Sequence, residues 1–141
     1  MGVYITQDDL LSQISEEELI SLTDDEGLGS VNTERVNACI SQAEAIIDSY
    51  LGARYKLPLE VVPEALKKIA VDMTVYFLES RRRAPTEERR QNYEDAVRFL
   101  KDIAKGIASL GISQEVDVPQ ENKPEITANK RIFTRESLKD F

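Results

Sequence analysis

The 141-residue sequence contains no histidine and no tryptophan, and Cys39 is its only cysteine. Without histidine the chain lacks the commonest general base, the usual partner in a nucleophilic triad and the commonest transition-metal ligand. A single cysteine excludes an internal disulfide framework and a Cys-based zinc site. No apolar run approaches the roughly 20 residues that a membrane span needs. The opening residues carry no basic-then-apolar leader, so export is not expected. Aromatics amount to only 6% of residues, which leaves Leu, Ile, Val and Ala to build the core.

Basic residues are missing from one region in particular. Residues 1–34 hold nine acids and neither Lys nor Arg. The rest holds 17 acids against 18 bases, so the whole net charge of -8 sits in the first quarter. Phosphate binding needs a net basic surface, and a pI near 4.7 argues against a dedicated nucleic-acid binder.

What is present is a globular composition, 41% apolar and 31% charged, at a length that suits one domain. The patterning predicts an all-α fold, a small bundle of three longer helices preceded by short ones. Thr6 and Asp9 start a short helix through Gln13, and Ser15 with Glu18 forms a capping box for a second. Thr23 to Ser30 reads as a loop. Asn32 caps a long helix over about 33–51, with Val36, Ile40, Ala43, Ile47 and Tyr50 on one stripe. Glu34, Asn37, Ser41, Glu44 and Asp48 fall mainly on its other faces. Gly52 marks its end.

Leu57-Pro58-Leu59 reads as an extended connector, and Pro63 opens a second long helix. Leu66, Ile69, Ala70, Met73, Tyr76 and Phe77, widened by Val71, Val75 and Leu78, make it the central helix. The run from Arg81 to Pro85 breaks it. Thr86 caps the third long helix, which carries Tyr93, Val97, Leu100, Ile103, Ala104 and Ile107 and pairs Glu94 with Arg98. Gly111 is the predicted terminator. Residues 1–111 thus form the helical domain. Residues 112–141, with Pro119 and Pro124, read as an extended arm ending in the anchors Ile132, Phe133, Leu138 and Phe141.

Several motifs suggest chemistry and then fail on detail. Gly2 and Thr6 satisfy the loose myristoylation pattern, but no polybasic stretch follows to complete an anchor. Asp24 to Arg35 has the glycine and apolar positions of a calcium loop. Its fifth position is Leu28 and its twelfth is Arg35, where a bidentate Glu belongs, so an acidic surface turn is the better reading. The acid pairs Glu16–Glu18, Asp24–Glu26 and Glu94–Asp95 fit caps, turns or solvent faces rather than acid–base catalysis. Cys39 fits a small core residue. The arginines Arg81, Arg82, Arg83, Arg89 and Arg90 read either as a solvated turn or as an interaction patch. No aromatic is interleaved among them for base stacking.

The order of segments resembles the small proteins of Mu-like phages and prophages that are related to head–tail connectors. Tyr4-Ile-Thr-Gln-Asp-Asp-Leu10 and Glu17-Glu-Leu-Ile-Ser-Leu-Thr-Asp24 look like the family's first segment. The stretch Ala43-Glu-Ala-Ile-Ile-Asp-Ser-Tyr-Leu-Gly-Ala-Arg-Tyr-Lys-Leu-Pro-Leu59 is the most distinctive. Val62-Pro63, Ala70-Val-Asp72, Tyr93-Glu-Asp-Ala, Leu100-Lys-Asp-Ile-Ala-Lys-Gly106 and Arg131-Ile-Phe-Thr-Arg-Glu-Ser-Leu138 continue the likeness. The resemblance implies a non-enzymatic structural adaptor with no cofactor and no catalytic residues. It would sit beneath the portal in the virion neck, having assembled in the host cytoplasm. Its expected partners are the portal, tail-side neck proteins and further copies in a ring, though the isolated chain could be a monomer. DNA contact would be incidental. A helical regulatory or DNA-binding module is the alternative. The expected interaction residues are Arg81, Arg82, Arg83, Arg89 and Arg90, and on the arm Arg131, Phe133, Arg135 and Phe141. A ring needs two different faces on each subunit. The acidic first quarter and the arginines around 81–90 are candidates to meet between neighbours.

Overall fold

Five helices account for the fold in the computed structural model, which describes residues 2–112: α1 (Gln7–Leu11), α2 (Glu16–Thr23), α3 (Thr33–Leu51), α4 (Glu64–Arg82) and α5 (Glu87–Lys105). The described residues contain no strand. The arm residues Arg131, Phe133, Arg135 and Phe141 lie outside the described residues.

The long helices follow the apolar spacing. Val36, Ile40, Ala43 and Ile47 of α3 are all buried, and Asn32 caps the helix by accepting the Arg35 amide at 3.1 Å. On α4 the buried positions run from Leu66 to Glu79 and extend around the cylinder, as befits a central helix. Thr86 caps α5 by accepting the Arg89 amide at 3.2 Å. The three long helices pack on one another, while α1 and α2 lean mainly on α4. Arg35 and Cys39 of α3 lie beside Phe77 and Arg81 of α4, and Ile69 of α4 beside Ala96 of α5. Successive long helices are therefore antiparallel. At their centre Ile40, Ile47, Leu66, Met73, Leu78, Leu100 and Ile103 are fully buried.

Four local expectations change. The third long helix ends at Lys105, not at Gly111, because Gly106 already adopts the left-handed conformation at φ 85°. That turn lets the Ile107 amide reach the Asp102 carbonyl at 2.8 Å and satisfies the helix end. α4 continues through Arg82, so the first two arginines are helical rather than part of a break. Arg98 pairs with Asp95 at 2.7 Å, and Glu94 with Arg90 at 3.7 Å, instead of with each other. α1 stops at Leu11, two residues before Gln13, whose side chain reaches Asp72 at 2.9 Å.

The ends of the described chain are tied down. The Glu44 carboxylate accepts the amides of Val3 at 3.0 Å, Tyr4 at 2.6 Å and Ile5 at 3.3 Å, and the Tyr4 hydroxyl donates to Asp48. This acid, placed by periodicity on a polar face, is 8% exposed. After α5 the chain folds over Tyr55, whose hydroxyl accepts the Leu110 amide at 2.8 Å. Ala108, Leu110 and Ile112 pack against the core there.

Candidate interaction surface

One end of the bundle gathers the α2–α3 loop and the turn from α4 to α5. The loop is built on acids. Asp24 accepts the amides of Leu28 at 2.8 Å and Gly29 at 2.6 Å. Gly27 and Gly29 take positive φ values of 75° and 79°, which L side chains rarely adopt. No atom lies close enough to obstruct a side chain at either position, so the backbone angle alone calls for glycine there.

Around this turn the arginines close in. Asp25 receives Arg81 at 2.6 Å, Arg82 and, at 3.2 Å, Arg35. Arg35 also forks onto Glu26, at 3.1 and 3.2 Å, and Arg81 donates to the Leu22 carbonyl at 2.8 Å. Two-pronged guanidinium contacts fix geometry as well as charge. Hydrogen bonds from the backbone of Leu28 and Gly29 hold the Asp24 carboxyl below its ordinary range. Arg81, then Arg82 and Arg35, do the same for Asp25. The carboxylates that resembled calcium ligands thus hold backbone amides and arginines. Among the described residues there is no cluster of three or more His, Cys, Asp or Glu suited to a metal ion.

A second charged knot joins α2, α4 and α5. Glu79 is 1% exposed. Its carboxylate accepts Arg89 Nε at 3.0 Å and the Thr86 amide at 3.3 Å, with Arg83 3.7 Å away. Glu18 lies 3.4 Å from Arg89 and 3.9 Å from Arg83. Ser15 caps α2 through the Glu18 amide at 3.1 Å, but the Glu18 side chain turns to these arginines and leaves the predicted capping box half made. Arg90 stands apart and pairs along α5 with Glu87 and Glu94.

The acidic first quarter and the arginines therefore do meet, but inside one subunit. Charge counting found both partners and could not say whether they belonged to one chain or two. Glu79 was missed altogether, although its place directly after Leu78 on the broad face of α4 was a usable signal.

Two grooves flank α4. One, of about 400 Å³, lies between α3 and α4 over Ala38, Cys39, Phe77 and the stem of Arg81. Burial raises the Cys39 thiol above its ordinary pKa, which opposes reactivity. The other, of about 300 Å³, lies between α4 and α5 over Ala65, Ile69, Ala96 and Phe99, with Lys68, Asp72, Asn92 and Asp95 at its sides. Nearby, Tyr76 stacks on Tyr93 with ring centres 4.2 Å apart, and Phe77 meets Tyr93 edge-on at 5.6 Å. These features suit packing and protein contact, and none brings a nucleophile to a base.

The family model described as Bacteriophage Mu, Gp36 matches residues 4–128 of this chain. The chain belongs to the Mu Gp36 family. Among its relatives is the "Mu-like prophage FluMu protein gp36" of Haemophilus influenzae, 38% identical over 113 residues and 79% of each chain. Another is "Gene product J" of Escherichia phage Mu, 28% identical over 135 residues and 94% of each chain. The family match takes in all five helices and both charged knots. Among the described residues no helix is long and apolar enough to cross a membrane.

Proposed function

We propose that this Gp36-family protein is a non-enzymatic virion component that joins head to tail, seated beneath the portal as a ring and completing the head. One observation carries the proposal: the match to a Mu phage family across the whole helical body, on a chain whose segment order resembles head–tail connectors. The physical features agree with an adaptor. The body is a small α-helical bundle whose ionic contacts hold loops and helices together. Its partners would be the portal, tail-side neck proteins and further copies of itself. Its site would be the virion neck, reached after assembly in the host cytoplasm. Pairing of the arginines with the chain's own acids weighs against the DNA-binding alternative, which rests on that cluster.

The test is deletion of the gene in an inducible Mu-like prophage, with electron microscopy and mass spectrometry of the particles. Filled heads and free tails that remain unjoined, and are restored by supplying the gene in trans, are the expected result. Intact infectious particles without the protein would overturn the proposal.

A further inference from the structure

We draw no further inference here: the strongest candidate, the apolar groove between α4 and α5 over Ile69, Ala96 and Phe99, has its flanking charges engaged within the subunit, Lys68 with Asp72 and Arg98 with Asp95, and nothing in the structure shows what covers it.

Discussion

Replacing Glu44 by alanine tests whether one buried carboxylate holds the first described residues in place. Glu44 accepts three amides, from Val3, Tyr4 and Ile5, and the side chains of Tyr4 and Ile5 are buried. Two outcomes compete once the carboxylate is gone. If the segment stays docked, the buried amides of Tyr4 and Ile5 lose their acceptor, at about 1–3 kcal/mol each. If it peels away, burial of two large side chains is lost, about 1.5–3 kcal/mol each. Residues 2–5 then regain backbone freedom, about 1–2 kcal/mol per residue. The second pair of terms nearly cancels, so peeling is the cheaper route and the carboxylate is what prevents it. The expected loss is about 1–3 kcal/mol, or a drop of about 4 °C in Tm for each kcal/mol. Amide hydrogen exchange should show Tyr4 and Ile5 unprotected while α3 and α4 stay protected. Glu44→Gln keeps an acceptor oxygen without the charge and should lose about half as much, since charge-assisted bonds are about twice as strong. An alanine variant that melts within about 0.5 kcal/mol of wild type and still protects both amides would refute the reasoning.

Other perturbations probe the charged loop and the helix ends. Arginine contacts depress the Asp25 pKa in the folded state, so the stability this adds is present above the unfolded value and is lost as pH falls through the folded one. The Leu28 and Gly29 amides depress the Asp24 pKa in the same way, so NMR should show those two amides losing protection below about pH 4, and Asp24→Asn should flatten the contribution of that group. Gly106→Ala forces a side chain into φ 85° and against the Arg54 guanidinium. Arg54 can swing aside, so backbone strain sets the cost at about 1–2 kcal/mol, which urea denaturation would measure. Burial raises the Cys39 pKa, so a thiol reagent at pH 8 should label it more slowly than it labels a free thiol. Labelling of the native protein at the rate of a free thiol would contradict the buried position.

The helices were legible because each long stripe recurs at helical spacing over many turns and starts at a capping residue or, for α4, at Pro63. Asn32 and Thr86 both cap as their side-chain chemistry dictates. The third helix ended early because two glycines, Gly106 and Gly111, could each take a left-handed turn. Periodicity ran past the first to Ile107, which proves exposed. What stayed hidden were the buried acids. Glu44, Asp72 and Glu79 read as polar because an acid on a helix is solvated unless something distant neutralises or binds it. Their partners are remote in one or more cases: Val3 to Ile5 for Glu44, Gln13 for Asp72, and Arg89 for Glu79.

The arginine cluster shows the same gap from the other side. Composition identifies nine acids without a base in residues 1–34 and an arginine-rich turn far along the chain, and charge complementarity predicts that they attract. It does not count the subunits. The α2–α3 loop lies against the last turn of α4, which brings Asp25 within reach of Arg81 and Arg82, so the attraction is satisfied within one chain. A reversal of Arg81 to Glu would consequently disturb the Asp25 loop of an isolated monomer. Loss of ring assembly in that variant would report on loop integrity before it reported on an interface.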